Sequence, residues 1–288
     1  MKRPLLFAIT AGVIILGGFV YAFRTPIRDW WDLQNAPVLP IAIHKVPQQS
    51  NSDTTLNLQD ASPVEGGMAT SQNFVLVSNP PKSKPAPLDP MEIKQGLPDE
   101  INLDVPFTTQ APTQNWDMPF QEACEEVSAI MVDAYYRGQT GILSKTEVEK
   151  SIKDIVEYEI KTVGHYEDTS SSEMKQWITG YFGYEDVRAI PIRNAEDIQR
   201  VVANGYPALI LVDGKKLANP NFRNGGPLYH VLVVKGYSKG RFITNDPGTR
   251  KGKDYTYTFD QILNAAHDWT GKKADGPAVM VIVMPKMK

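Results

Sequence analysis

The strongest constraint on this chain is the order of two hydrophobic periodicities. Helical spacing dominates from residue 120 to about residue 205, and short β-branched runs dominate after it. In "FQEACEEVSAIMVDAYY", residues 120 to 136, Cys124, Val127, Ser128, Met131, Ala134 and Tyr135 recur on one helical face. Glu125, Glu126, Asp133 and Arg137 lie off it, and Gly138 marks the end. Three further helices open with capping boxes: Ser144 with Glu147, Ser170 with Glu173, and Thr258 with Gln261. Asn194 to Gly205 reads as a shorter helix with a polar cap and a glycine stop. The runs at 207–212, 229–237, 240–246 and 278–284 are bounded by Gly, Pro or Asn and read as strands. Helices first and strands afterwards predict an α+β domain, a mostly antiparallel sheet packed against the cysteine helix.

Upstream, the chain divides into two different segments. Leu5 to Phe23 carries no charge, and at 1.5 Å per residue such a helix reaches roughly the 30 Å of a bilayer core. An uncleaved anchor is favoured over a signal peptide cut after Ala22, because the apolar run is long and Tyr21 is a poor neighbour for a cut. Lys2 and Arg3 precede the run while Arg24 and Arg28 follow it, so the charge bias toward a cytoplasmic N-terminus is weak. From about Asn35 to Pro98 the chain is rich in Pro, Ser, Asn and Gln and reads as a tether, with "FVLV" at 74–77 as a candidate docking strand. The expected plan is an anchor or signal segment at 1–24, an extracytoplasmic linker at 25–98 and one domain at 99–288. Its expected location is the cell membrane, single-pass with the domain outside, or secretion if the segment is cleaved.

Composition removes several function classes. A net charge of -3 without a Lys/Arg run offers no surface that tracks nucleic-acid phosphates. One cysteine forms no internal disulfide, and histidines at 44, 165, 230 and 267 give no spaced zinc set, so no metal is expected.

The lone cysteine gains meaning from its surroundings. In "YHVLVVKGYSKGRFITNDPG" two strands meet at a tight turn; pairing symmetric about Ser238 sets His230 opposite Asp246. A thiol at a helix N-terminus feels the positive end of the macrodipole, which favours thiolate. Cys124 is then the nucleophile, His230 the base that takes its proton and later protonates the leaving group, and Asp246 the group that orients the imidazole. Glu122, Glu125 and Glu126 work against a low thiol pKa unless they point outward or interact with other helix-end amides. The Cys124 amide is one oxyanion donor, and Gln110, in "VPFTTQAPTQNW", is the better placed of two glutamines for the second.

These segments together, "VPFTTQAPTQNWDMPFQEACEEVSAIMVDAYY", "YHVLVVKGY" and "ITNDPG", resemble the papain-like cysteine peptidases. They are most similar to the domain family that is like the bacteriocin-processing, double-glycine leader peptidases, over about residues 101 to 288. The resemblance implies a papain-like fold and a cysteine peptidase with Gln110, Cys124, His230 and Asp246 as catalytic residues. It also implies a peptide or protein substrate; the acyl-enzyme route needs no cofactor, and a monomer is expected. Glu125 stands where many members have Gly, and the transporter of the processing members does not follow, which removes most reason to expect a double-glycine leader as substrate.

Other residues have plainer readings. Trp116 is a candidate substrate contact, Trp177 a core aromatic, His165 and His267 structural or solvated, and the loop before His230 a flap or a turn. Two rivals to the peptidase stand beside it: an inactive papain-like module that binds peptides, and an amidase of cell-wall peptides on the same fold.

Overall fold

The structure is a computed structural model, and it describes residues 36–45, 90–92 and 96–285. The expected anchor at 1–24, "FVLV" at 74–77 and most of the linker lie outside the described residues. Among those described, no helix is long and apolar enough to cross a membrane. The chain divides into two units, Met1–Pro40 and Ile41–Lys288, and the described helices and strands all belong to the second.

Helices α1 (Cys124–Tyr136), α2 (Lys145–Thr162), α3 (Ser171–Phe182), α4 (Ala195–Ala203) and α5 (Phe259–Ala265) begin where their cap residues place them. Ser170 and Thr258 complete reciprocal capping boxes with Glu173 and Gln261, and Asn194 accepts from the Asp197 amide. Ser144 stands at the N-cap of α2 without a side-chain bond.

Seven strands form one antiparallel sheet: β1 (Ile101–Asn102), β2 (Val187–Pro191), β3 (Ala208–Val212), β4 (His230–Ser238), β5 (Arg241–Asn245), β6 (Tyr255–Thr258) and β7 (Val279–Val283). Their order is β2-β7-β3-β4-β5-β6, and β1 joins the same edge of β4 beyond the end of β3. The α+β expectation holds. Four strands fall within two residues of the runs read from sequence, while β1, β2 and β6 have no counterpart among those runs. β2 is half-exposed and ends at Pro191, so it lacks the apolar density of the inner strands.

Helix α1 was expected to be amphipathic, yet every residue from Cys124 to Tyr135 is buried. It lies against β4 on one side and under α2 and α3 on the other. Its charged residues are therefore inside, which governs the chemistry of the thiol.

Part of the expected linker belongs to the domain. Ile43 bridges to Leu103, and Lys45 exchanges backbone hydrogen bonds with the Tyr135 hydroxyl while its Nζ donates to the Ala203 carbonyl. Gly205 makes this approach possible, since a Cβ there would sit 2.2 Å from the Lys45 oxygen. Asn204 Nδ2 donates to the Pro90 and Glu92 carbonyls. Residues 41–45 thus dock beside Tyr135, near the C-terminal end of the 13-residue α1, roughly 16 Å along the helix from Cys124.

Candidate active site

The site depends on a β-bulge. The β4–β5 turn is Lys239–Gly240, with Ser238 paired to Arg241 and Gly236 to Ile243, so the hairpin is not centred on Ser238 as expected. The register then slips, and Val234 pairs with Thr244 and Val233 with Asn245, leaving Lys235 as the extra residue on β4. Continued one step, that register faces Asp246 with Leu232, while His230 pairs with Val212 on β3. His230 and Asp246 are consequently diagonal neighbours on one face of the sheet. Without the slip they would project from opposite faces.

The bulge is pinned. Lys235 Nζ is buried and donates to Asn102 Oδ1 and Asp254 Oδ1, both at 2.7 Å, and its carbonyl accepts from the Leu103 amide. At Gly236 a Cβ would come within 2.4 Å of the Ile101 oxygen, so only glycine admits β1 here.

Asp246 follows β5 directly and is fully enclosed. Its Oδ1 lies 2.8 Å from His230 Nε2 and accepts from the Gly248 amide at 3.0 Å; its Oδ2 accepts from the Tyr257 hydroxyl at 2.6 Å. Tyr257 in turn accepts from Asn219 Nδ2 at 2.7 Å. Burial alone would raise the carboxyl's pKa, but His230, Tyr257 and Gly248 together hold it below the usual range. With Nε2 engaged by Asp246, Nδ1 is the imidazole nitrogen left for a reacting group. Phe222 stands edge-on to the ring at 5.3 Å, so the loop before His230 closes on the imidazole and supplies both Asn219 and Phe222.

Cys124 opens α1, as the sequence predicts, and the start of α1 rests on the start of β4. Ser128 Oγ donates to the Val231 carbonyl at 3.2 Å, and Val231 also makes a backbone contact with the thiol. The thiol itself donates to Glu125 Oε2 at 3.0 Å. Glu125 Oε1 accepts from the Thr169 amide at 2.9 Å, and the Tyr229 hydroxyl donates to the Thr169 carbonyl at 2.6 Å.

The structure corrects two expectations about the helix head. Glu125 and Glu126 point inward, both essentially inaccessible to solvent. The helix end therefore does not by itself yield a thiolate: burial, then the neighbouring Glu125, push the thiol pKa well above its ordinary value. Burial also raises the Glu125 carboxyl to about 7 and Glu159 of α2 to about 9, and it raises Glu126, which faces Glu159.

Gln110 ties the two halves together. Its backbone amide donates to the Pro247 carbonyl in the turn after Asp246, at 3.1 Å. Its Nε2 donates to the carbonyls of Phe120 and Gln121, at 3.1 and 2.7 Å, in the turn ahead of Cys124. Both amide hydrogens are thus engaged, and donation to an oxyanion requires one of them to let go of a carbonyl. Trp116 lies 45% exposed on the loop between Gln110 and Cys124, outside the buried cluster.

The remaining histidines have structural partners. His165 bonds Glu173 and the Glu167 carbonyl, His267 bonds the Gly276 carbonyl and Lys216, and His44 stacks at 4.8 Å from Tyr135. Among the described residues no group of three or more His, Cys, Asp or Glu could hold a metal ion. Tyr257, Asn219, Phe222, Thr169 and Tyr229 escaped the sequence reading. Asn219, Phe222 and Tyr229 had a signal there, through the loop that leads into His230.

The model of a family described as "Peptidase_C39 like family" matches residues 102–274. A crystal structure described as a C39-like peptidase from Bacillus anthracis is similar to the chain at 17% identity and a TM-score of 0.43. The match covers 66% of this chain and 100% of that one. No protein of curated function matches.

Proposed function

The chain belongs to the Peptidase_C39-like family, a papain-like cysteine peptidase family, and from that premise we propose that it is a thiol hydrolase of peptide bonds with Cys124, His230 and Asp246 as its triad. The observation that carries this reading is the buried His230–Asp246 pair at 2.8 Å, with His230 on the strand against which the cysteine helix packs. Cys124 Sγ attacks the substrate carbonyl carbon as His230 Nδ1 takes the thiol proton, giving a tetrahedral oxyanion and an imidazolium held by Asp246. The oxyanion lies at the helix head, where the Cys124 amide has no acceptor within the helix and Gln110 stands alongside. Collapse breaks the C–N bond, the imidazolium gives its proton to the leaving amine, and a thioester remains on Cys124. Water, deprotonated by His230, then attacks the thioester and releases the acid and the free thiol. Because the resting thiol is protonated, His230 acts as a general base at the moment of attack rather than through a standing thiolate.

The apolar Leu5–Phe23 run supports a membrane-tethered hydrolase, whose domain we place outside the cytoplasm, and the family supports a peptide or protein substrate, with the exposed Trp116 as a candidate contact for it. A second reading, a peptide-binding module without turnover, is favoured by one observation: the thiol is hydrogen-bonded to Glu125. Incubating the full chain with a mixed peptide pool, with casein and with purified peptidoglycan separates the cases. New peptide termini made by the wild type but not by Cys124→Ala support the peptidase, and fragments from peptidoglycan alone support the amidase. Peptide affinity retained by Cys124→Ala, with no turnover by the wild type, supports the binding module.

A further inference from the structure

We infer that Glu125 is the resting proton partner of Cys124 and sets how the thiol's reactivity depends on pH, a role that rests on the thiol-hydrolase reading. The geometry is specific. Oε2 accepts the thiol hydrogen at 3.0 Å, and Oε1 is fixed by the Thr169 amide at 2.9 Å. Thr169 is held in turn by Tyr229, the residue next to His230. The carboxyl therefore cannot swing away from the sulfur without giving up the Thr169 amide, the bond that ties the head of α1 to the loop ahead of α3.

Every element packed around Glu125 contributes to its charge state. Glu126 lies beside it on α1, Glu159 faces it from α2, Asp168 and His165 from the loop before α3, and Tyr229 from the strand end. Glu126 and Glu159 are both raised by burial and face each other with no other partner for their four oxygens, so at least one carries a proton near neutrality and shares it with the other. Asp168, raised to about 6 by burial and the neighbouring Glu122 and Glu167, ionises below Glu125 and adds repulsion. Glu125 is then the group beside the sulfur whose charge changes at about pH 7.

The consequence follows from proton counting. Below that pH Glu125 is neutral and its O–H can donate to a developing thiolate. Above it, the same single proton lies on either the thiol or the carboxyl, and the population of the reactive form, thiolate with neutral Glu125, stops growing with pH.

The test uses the chain's single cysteine. The rate of iodoacetamide alkylation is followed from pH 5 to 10 for the full wild-type chain, Glu125→Gln and His230→Ala. The wild-type rate is expected to climb to about pH 7, flatten, and climb again only when the thiol ionises beside an ionised carboxylate. Glu125→Gln keeps an acceptor for the Thr169 amide and places an N–H at the sulfur. It should show one continuous limb and react at least about threefold faster at pH 8, the net of a tenfold thiolate gain and reduced nucleophilicity per pKa unit. A Glu125→Gln profile that superimposes on the wild type overturns the inference. If that variant does not fold, a wild-type profile with a single ordinary limb overturns it instead. A His230→Ala profile equal to the wild type, alongside an altered Glu125→Gln profile, sinks the hydrolase reading while leaving the Cys124–Glu125 coupling intact.

Discussion

On the His230 side of the site every polar atom of Asp246 has a donor: the imidazole, the Tyr257 hydroxyl and the Gly248 amide converge on one buried carboxylate. On the Cys124 side the balance is reversed. Three buried carboxyls, Glu125, Glu126 and Glu159, crowd the helix head and the helix behind it, and Glu126 and Glu159 have no partner for their oxygens but each other. A satisfied low-dielectric network fixes geometry, whereas an unsatisfied one is sensitive to every proton added or removed. The first half holds His230 in a single orientation, and in our proposal the second makes the Cys124 thiol answer to pH.

Breaking the rigid half should have the largest effect. Asp246→Asn keeps the shape but changes the hydrogen-bonding role toward His230, and turnover should fall about 10³- to 10⁴-fold with the fold retained by circular dichroism. Gly248→Ala comes next: the new methyl would sit 2.9 Å from His230 Cε1 and 3.0 Å from the Phe222 ring. Displacing the imidazole by a fraction of an ångström should cost about 10- to 100-fold in kcat, with little change in melting temperature. Tyr257→Phe removes a donor from Asp246 and an acceptor from Asn219, a loss of about 1–2 kcal/mol visible in denaturant unfolding.

The smallest effect lies in the other half, and it concerns stability. Glu159 has its carboxyl raised from 4.5 to about 9 in the fold, so the native state holds a proton that the unfolded chain gives up. Stability from this group is full below pH 4.5 and falls as pH rises toward 9. Glu159→Gln should flatten that decline and raise the melting temperature at pH 8 by about 2–4 °C. A variant whose melting curve tracks the wild type across this range would show that the two halves do not differ as described.

The difference between the halves also explains what could be read from sequence. Helix starts were legible because a cap is local chemistry: Ser170, Asn194 and Thr258 each bond an amide three residues on. The His230–Asp246 pair was legible in outcome but not in derivation. The symmetric register was wrong by two positions, an even number, so both side chains stayed on one face. The bulge at Lys235 depends on Asn102 and Asp254, remote partners that no hairpin pattern contains. The inward turn of Glu125 and Glu126 was not legible at all. A polar residue off an apolar stripe points to solvent only if solvent is there, and α1 is covered on both sides. Tyr257 sits in a short strand whose alternation gives no hint of a carboxylate partner.

The central claim is that Cys124 carries an acyl group under the control of His230. It is tested most directly by mixing the full chain with p-nitrophenyl acetate and recording the burst of p-nitrophenol, with intact-mass analysis of the quenched protein. The account expects a burst of about one equivalent, an acetyl adduct on Cys124, loss of both in Cys124→Ala and a much slower burst in His230→Ala. No adduct on the wild type, or an adduct that forms equally fast in His230→Ala, would contradict it.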